Sequence, residues 1–246
     1  MPERAAIVTG ASSGIGLGLA KMLGAEGYGL TVNGRRPEKL EAAVEELRGM
    51  GFEVEGVAGS VAEEEVVGEV VRRHRERFGR LDVLVNNAGV GMGQPIGELR
   101  TKFLDIQLGT NLRSIPLFYR ESLEMLTAAG AEHRNAVVVN TSSISGKRGE
   151  AWLSVYSATK HAVVGFTQAM NKELGTLGIK STALCPAFVD TPMTDFVKGA
   201  VSTDQMIVVD DVVAMVKPLL WLSPGCTIPE IMFEQTGFEI GEGLTG

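Results

Sequence analysis

The fold is decided by the stretch Ala5–Gly16, which reads AAIVTGASSGIG. Its first part, Ala5–Thr9, is an apolar run that predicts a buried strand, and residues 15–23 show helical spacing. Glycines between a strand and a helix let the backbone approach a pyrophosphate at the helix N-terminus. With 31 glycines in the chain, a glycine cluster alone is weak evidence. Its position directly after the first strand makes a dinucleotide-binding loop the favoured interpretation.

The rest of the chain alternates between short apolar runs and helical stretches. A helix is predicted to start at Pro37, another spans Glu63–Phe78, and further strands are predicted at Leu30–Asn33, Val54–Val57, Val83–Val85, Ala136–Asn140 and Ser181–Cys185. This order predicts an α/β fold, a doubly wound parallel sheet of the Rossmann kind. We expect residues 1–246 to form one dinucleotide-binding catalytic domain. Residues 187–209 lack a clear period and are predicted to form a substrate loop.

Composition excludes several other classes of protein. The chain has 246 residues, 44% hydrophobic and 22% charged, which is typical of a globular domain. A net charge of −7 argues against a nucleic-acid or anionic-membrane partner. No leader segment and no apolar run of about 18 residues is apparent, so no membrane partner is expected. Two cysteines without metal spacing predict no metal site and fit a cytoplasmic protein.

A basic run within the predicted Glu63–Phe78 helix invites a different interpretation. Arg72, Arg73, Arg75 and Arg77 follow Glu63, Glu64 and Glu65. Acids in the first turn and bases in the last turn complement the helix dipole. We therefore interpret the run as a solvated helix face.

A tyrosine and a lysine four residues apart suggest acid–base chemistry. Tyr156 and Lys160 would share one face of a helix. A nearby ammonium favours the phenolate and is expected to lower the tyrosine pKa from its usual value near ~10. Such a tyrosine is suited to proton transfer near neutral pH. An exposed Tyr/Lys pair without function is the alternative that this spacing alone leaves open.

Several motifs, taken in order, resemble those of the short-chain dehydrogenase/reductase family. The chain is similar in length to the common form of that family. The resemblance runs from Ile7 to about Phe233. The family's motifs correspond to Thr9, Gly10, Gly14 and Gly16; to Asn86, Asn87, Ala88 and Gly89; to Asn111; to Ser143, thirteen residues before Tyr156; to Tyr156 and Lys160; and to Pro186, Val189 and Thr191.

The resemblance implies a role for each of these positions. The implied catalytic residues are Asn111, Ser143, Tyr156 and Lys160. Tyr156 would exchange the proton, Ser143 would hydrogen-bond the substrate oxygen, Lys160 would hold the ribose, and Asn111 a water. The implied cofactor contacts are Gly10, Ser12, Ser13, Gly14, Ile15, Gly16, Arg35, Arg36, Ser60, Val61, Asn87, Ala88, Gly89, Tyr156, Lys160, Pro186, Val189 and Thr191.

The end of the second predicted strand favours NADP, with NAD as the second choice. NAD enzymes of this fold place an acid there, roughly 20 residues past the glycine motif. In this chain Gly34 stands at that place, followed by Arg35 and Arg36. A guanidinium can pair with a 2′-phosphate that an acid would repel. The alternative is that both arginines are merely solvated.

Four departures from the family pattern carry expectations of their own. Ala187 replaces a glycine, so the turn must avoid left-handed φ or accept strain. Ser60 stands where an aspartate is usual, and Pro116 predicts a helix kink by leaving the Leu112 carbonyl unpaired. The C-terminal tail, from Gln235 onward, is expected to lack regular structure, and Pro229–Phe233 replaces the usual glycine-rich ending.

The favoured function is an NADP-dependent oxidoreductase that reversibly reduces a ketone, aldehyde or 3-oxoacyl thioester to an alcohol. The alternative is a catalytically idle NADP-binding sensor or regulatory protein on the same fold, since a fold does not define a function. An apolar set on the Tyr156 helix, which includes Phe166 and Met170, is too wide for one face. The resemblance implies a homodimer or homotetramer there, and a fully buried core helix is the alternative.

Overall fold

A computed structural model describes residues 2–198 and 201–236 of the chain. In these residues a seven-stranded parallel sheet has the strand order β3-β2-β1-β4-β5-β6-β7. The strands are β1 (Arg4–Val8), β2 (Tyr28–Gly34), β3 (Val54–Ala58), β4 (Val83–Asn86), β5 (Ala136–Thr141), β6 (Ile179–Pro186) and β7 (Glu230–Phe233). The predicted doubly wound sheet is confirmed. The sequence interpretation missed β7, which pairs with β6 from Ala183↔Glu230 to Pro186↔Phe233.

Seven α-helices connect the strands in the described part of the chain. They are α1 (Gly14–Ala25), α2 (Pro37–Gly49), α3 (Glu64–Phe78), α4 (Thr101–Gln107), α5 (Ser114–His133), α6 (Ser154–Leu174) and α7 (Val209–Val216). The sheet separates two hydrophobic clusters, one against α1, α2 and α7 and the other against α3, α5 and α6. Strands covered on both faces need continuous apolar sequence, which the run Val137–Val139 in β5 illustrates. Among the described residues no helix combines the length and hydropathy needed to cross a bilayer.

The helix irregularity expected at Pro116 lies on the N-terminal side of that residue. A π-helical turn, Leu108–Arg113, connects α4 to α5, and the Ser114 N–H donates to the Gly109 carbonyl, five residues back. Pro116 is the third residue of α5, in the first turn, where proline is tolerated. The helix irregularity is therefore completed in this wide turn, before the proline. The same turn carries Asn111.

The basic run of α3 is ion-paired at the surface, as its interpretation as a solvated face suggested. Arg72 pairs with Glu69 and Glu76, while Arg73 reaches Glu55 on β3. Arg75 and Arg77 pair with Glu124 and Glu53. Each arginine thus has an acidic partner within the chain.

The same helix carries a buried histidine with defined hydrogen bonds. His74 Nε2 lies 2.7 Å from the Arg80 carbonyl oxygen, and Nδ1 lies 2.8 Å from the Thr31 hydroxyl. A carbonyl only accepts, so Nε2 carries the proton and Nδ1 accepts from Thr31. Burial lowers the pKa of His74 to about 4.

His74 is expected to make the fold sensitive to acid. The unfolded chain binds this proton near pH ~6.5 and the folded chain only near its lowered pKa, so stability is lost as pH falls between those values. Replacing His74 with glutamine should reduce the loss in unfolding free energy between pH 7 and 4.5 by about 2–3 kcal/mol. Urea unfolding at both pH values measures this. His161→Gln, at an exposed site, is the control; identical pH dependence in wild type and His74→Gln would contradict the assignment.

Candidate active site

The turn between β1 and α1 brings backbone groups very close together. Gly10 and Gly14 have φ of +63° and +55°, and a Cβ added at Gly16 would lie 2.3 Å from the Gly10 carbonyl oxygen. The Asn87 side chain reinforces this turn, because its Nδ2 donates to the carbonyl oxygens of Thr9 and Gly10 at 3.2 and 3.3 Å. Glycine is therefore required at these positions by close approach and by positive φ.

The N-terminus of α1 offers a site for an anion. Ser13 is the N-cap residue, and no side chain caps the helix. Ser12 and Ser13 directly precede the helix and Ile15 is its second residue, so all three lie at this N-terminus. Uncapped N–H groups and the helix dipole together favour a phosphate.

The end of β2 lies beside this turn and is basic. A Cβ added at Gly34 would lie 3.2 Å from Ser12 Cβ, so the two segments are in contact. Arg35 and Arg36 follow directly and are exposed. Within residues 2–198 and 201–236 neither guanidinium has an ion-pair partner. Both charges are thus free for a ligand bound at the glycine turn.

Residues after β3 border the same region. The Gly59 N–H donates to the Gly34 carbonyl oxygen at 3.1 Å, which places Ser60 next to the end of β2. The Ser60 hydroxyl accepts from the Ala62 N–H at 3.4 Å, and Val61 is buried in the core. Ser60 and Val61 therefore lie beside the end of β2, and their predicted contact with a cofactor stays a prediction.

The segment after β4 joins the glycine turn to the rest of the site. The Thr9 hydroxyl accepts from the N–H groups of Asn87 and Ala88, both at 3.0 Å. The Asn87 side chain, expected to line the cofactor groove, is engaged with the glycine turn and with Thr141. A Cβ added at Gly89 would meet Asn111 Oδ1 at 3.5 Å and Lys160 Nζ at 3.6 Å, so Gly89 borders both predicted catalytic residues.

Asn111 is buried on the π-helical turn and has three partners. Its Oδ1 accepts from the Val90 N–H at 2.8 Å, and its Nδ2 donates to the Val90 carbonyl at 2.9 Å. The same Nδ2 donates to the Thr159 hydroxyl at 3.3 Å, and that hydroxyl donates to the Tyr156 carbonyl at 2.7 Å. Thr159 therefore connects Asn111 to the helix that carries Tyr156 and Lys160.

We predict that Thr159→Val disturbs this connection while Thr159→Ser preserves it. Valine leaves one Asn111 N–H without a partner in a buried site, which should cost about 1–3 kcal/mol in unfolding free energy. We expect kcat to fall roughly tenfold as well, because Asn111 is no longer held against α6. Urea unfolding and steady-state kinetics measure the two effects. Valine and serine variants that behave alike would rule out the positioning role.

Ser143, Tyr156 and Lys160 lie together at the carboxyl end of β5. Lys160 is buried, and its Nζ donates to the Thr141 carbonyl at 2.7 Å and lies 5.6 Å from the Tyr156 ring centroid. The Ser143 hydroxyl accepts from the Ser145 N–H at 3.2 Å, and it interacts with the Tyr156 phenol. Ser143 thus caps the turn after β5 and also faces the tyrosine.

The pKa values of this pair differ from the sequence expectation. Burial raises the pKa of Tyr156 above its usual value, and hydrogen bonding with Ser143 opposes that rise. The expected lowering by Lys160 is therefore wrong for the chain alone, because its ammonium is directed at Thr141 rather than at the phenol oxygen. Burial lowers the pKa of Lys160 to about 8. A tyrosine that stays protonated at neutral pH can donate a proton.

The segment after β6 adjoins the glycine turn. A Cβ added at Gly14 would lie 3.0 Å from Thr191 Cγ2, and Val189 is buried in the core. Pro186 ends β6 and its carbonyl faces Ser143 at 3.4 Å. Ala187 avoids left-handed φ, since within the described residues only Arg134 and Trp152 combine a side chain with positive φ. The substitution of glycine therefore causes no strain at this turn.

The predicted substrate loop, residues 187–209, has local structure in its described parts. Val197, Val201 and Met206 form a small hydrophobic cluster, and Val189 forms a β-bridge with Ile207. Lys198 pairs with Asp190 and Asp195, each at 2.8 Å. Residues 199–200, and the tail from residue 237, lie outside the described residues.

A nicotinamide dinucleotide fits the residues that converge here. The uncapped α1 N-terminus suits a pyrophosphate, the free guanidinium groups suit a further phosphate, and the absence of an acid at Gly34 removes a source of repulsion. The resemblance named most of these residues, but sequence reasoning missed Thr159 and the glycine-turn role of the Asn87 side chain. A polar residue between Tyr156 and Lys160 was the available signal for Thr159.

Comparison with known proteins identifies the family. The family model for short chain dehydrogenase matches residues 4–200. This chain belongs to the short-chain dehydrogenase family.

Individual relatives cover most of the chain. A protein from Streptomyces virginiae, assigned as the ketoacyl reductase of the monensin polyketide synthase, is 40% identical over 197 residues, 80% of this chain and 74% of the relative. A 3-oxoacyl-(acyl-carrier-protein) reductase, FabG, from Staphylococcus epidermidis is 33% identical over 206 residues, 83% of this chain and 82% of the relative.

Solved structures share the fold of this chain. A variant of the actinorhodin polyketide ketoreductase, determined with NADPH, aligns with a TM-score of 0.84 and 34% identity, covering 93% of this chain and 95% of that chain. A short chain dehydrogenase from Burkholderia cenocepacia in complex with NADP aligns with a TM-score of 0.84 and 27% identity, covering 94% and 96%.

Proposed function

We propose that this chain is an NADP-dependent carbonyl reductase that converts a ketone, aldehyde or 3-oxoacyl thioester to an alcohol, reversibly. The observation that carries the proposal is the grouping of Ser143, Tyr156, Lys160 and Asn111 at one sheet edge, beside the glycine turn. The similarity to proteins named as ketoacyl or 3-oxoacyl reductases, and to structures determined with NADP or NADPH, supports the same chemistry.

Each residue has a physical role in this proposal. When bound, a reduced nicotinamide would supply the hydride for the carbonyl carbon. Tyr156 donates its phenol proton to the carbonyl oxygen, and Ser143 hydrogen-bonds that oxygen as negative charge develops. Lys160 would hold the ribose, and with its pKa lowered to about 8 it can release a proton near neutral pH to reload the tyrosine once its ammonium leaves the Thr141 carbonyl. Asn111 holds the segment at Val90 against α6 and positions this relay.

The nucleotide would lie along the carboxyl edge of the sheet. The turn at Gly10–Gly16 would hold the pyrophosphate, Arg35 and Arg36 the 2′-phosphate, and Ser60 with Val61 the adenine side. Asn87–Gly89 would line the groove, while Pro186, Val189 and Thr191 would flank the nicotinamide end. NAD would be the weaker cofactor.

The proposal is tested by measuring NADPH oxidation with the purified chain and a panel of ketones, aldehydes and 3-oxoacyl thioesters. We expect turnover of at least one class, with alcohol recovered as the product. Tight NADPH binding without turnover of any class would instead support an idle sensor. The absence of NADPH binding would reject both functions.

The organisation of the protein is part of the proposal. Residues 1–246 would form one catalytic domain with its substrate loop at residues 187–209, acting on a small molecule in the cytoplasm.

Homodimer or homotetramer formation is supported by α6, where Ala158 and Ala169 are exposed and Phe166 is half-buried. Because these residues are not buried in the single chain, the exposure favours assembly over a fully buried core helix. Light scattering of wild type and Ala169→Glu tests this assembly.

A further inference from the structure

Trp152 has a backbone conformation that its side chain disfavours. Its φ is +65°. The other non-glycine residue with positive φ in the described part of the chain, Arg134, occupies the left-handed position that ends α5. A bulky aromatic residue in this region is a genuine outlier, because its Cβ crowds the backbone. Such strain persists only when the surroundings enforce it, and it often marks a functional site.

The surroundings of Trp152 enforce this conformation. The Gln94 N–H donates to the Trp152 carbonyl at 2.8 Å, and the Leu153 N–H donates to the Glu150 carbonyl at 3.2 Å. A Cβ added at Gly93 would lie 3.3 Å from Leu153 Cδ2 and 3.4 Å from the Trp152 carbonyl oxygen. The turn before α6 is therefore held against the segment that follows β4.

That segment also contacts the proposed proton donor. A Cβ added at Gly91 would lie 3.9 Å from Tyr156 Cε2. Residues 91–94 therefore touch the tyrosine ring at one end and the Trp152 turn at the other. Trp152 lies at the rim of the site, four residues before Tyr156.

Three connections at this edge of the sheet carry exposed large apolar side chains. Trp152 is 56% exposed, and Ile96 and Phe196 are 74% and 75% exposed. These residues belong to the connections after β5, β4 and β6, three neighbouring strands whose carboxyl ends meet at one edge. Ligands bind at this edge in open parallel sheets, and exposed apolar side chains on three of its connections favour an apolar ligand.

We infer that the Trp152 indole is a specificity-determining contact that selects carbonyl substrates with a long apolar chain next to the reacting group. This inference rests on the proposed carbonyl reductase activity. The strained turn presents an aromatic surface at the rim, where the substrate chain leaves the site. Each methylene that it covers would be removed from water, so the indole should matter more as the chain lengthens.

The test compares Trp152→Ala with Trp152→Gly, assayed with 3-oxobutanoyl and 3-oxodecanoyl thioesters of N-acetylcysteamine. Both variants remove the indole, so both should lower kcat/KM for the 3-oxodecanoyl substrate at least tenfold, mainly through KM. Neither should change kcat/KM for the 3-oxobutanoyl substrate more than twofold. Only glycine relieves the strained φ, so its Tm should exceed that of the alanine variant by roughly 2–4 °C.

Trp152→Phe keeps an aromatic surface and should retain most of the preference for the long chain. Equal losses on both substrates, or no loss on either, would overturn the inference. A wild-type enzyme that turns over neither substrate would instead reject the proposed thioester reduction, so the two failures can be told apart. Equal Tm values for the alanine and glycine variants would overturn the strain argument.

Discussion

Tyr156→Phe should reduce kcat by about 10²–10⁴-fold, the range typical for loss of a general acid. The substitution removes the phenol oxygen and leaves the ring that packs near Gly91. Dissociation constants for NADPH should stay within twofold of wild type, because the proposed nucleotide contacts lie mainly in the glycine turn. Single-turnover kinetics and NADPH fluorescence titration measure the two quantities separately.

The matched control is Tyr119→Phe, the same chemical change at another tyrosine. Tyr119 is buried, donates to the Ser181 hydroxyl at 2.9 Å and accepts from Asn140 Nδ2 at 3.0 Å. Loss of the Tyr119 hydroxyl should reduce the free energy of unfolding by about 1–3 kcal/mol. The kcat of Tyr119→Phe should stay close to that of wild type. A Tyr156→Phe variant that keeps more than a tenth of wild-type kcat would show that another group donates the proton.

Lys160 differs from Tyr156 in what it is proposed to touch. Its Nζ lies close to Gly89 in the nucleotide groove as well as above the tyrosine ring. In the proposed function it binds the ribose and returns the proton, so Lys160→Ala is expected to weaken NADPH binding and turnover together. Tyr156→Phe should lower kcat alone, whereas Lys160→Ala should lower both kcat and NADPH affinity. The comparison of the two variants therefore separates proton donation from cofactor positioning.

Short-range patterns of apolar and polar residues in the sequence made most of the fold predictable. Alternating apolar runs and helices predict a parallel sheet whatever the side-chain details, and six strands were located in this way. Residues 230–233 were missed because four residues after a proline carry too short a pattern to indicate a strand. Their pairing with Ala183–Pro186 depends on a partner distant in sequence.

The candidate site was predictable in composition and less so in its contacts. Ser143 lies just after β5, and Tyr156 and Lys160 lie in the first two turns of α6, the next α-helix, so chain order keeps all three near the carboxyl end of one strand. Which donor meets which acceptor depends on side-chain packing that spacing does not encode. The Lys160 ammonium binds the Thr141 carbonyl, and burial therefore dominates the Tyr156 pKa. The positive φ of Trp152 likewise occurs where its carbonyl accepts a tertiary hydrogen bond from Gln94, which spacing does not reveal.

Cofactor preference should depend on Arg35. In the proposed binding mode its guanidinium pairs with the 2′-phosphate, and among the described residues it has no competing acid. Ser13, in the adjacent glycine turn, carries no positive charge that could add to this contact, so the preference is expected to be moderate.

Arg35→Ala should therefore lower kcat/KM for NADPH roughly 30- to 150-fold. This fold-change corresponds to a loss of about 2–3 kcal/mol in transition-state binding free energy. For NADH the change should stay within twofold, because that cofactor carries no 2′-phosphate. Steady-state kinetics with both cofactors at one ionic strength measure the ratio.

Lys39→Ala, which removes an exposed positive charge on the first turn of α2, controls for the general loss of charge near the site. If the unmutated enzyme used NADPH and NADH with equal kcat/KM, the assignment of NADP would be wrong. If Lys39→Ala matched Arg35→Ala, the preference would reflect overall potential rather than a paired contact, since a bidentate guanidinium–phosphate contact depends on the position of one side chain.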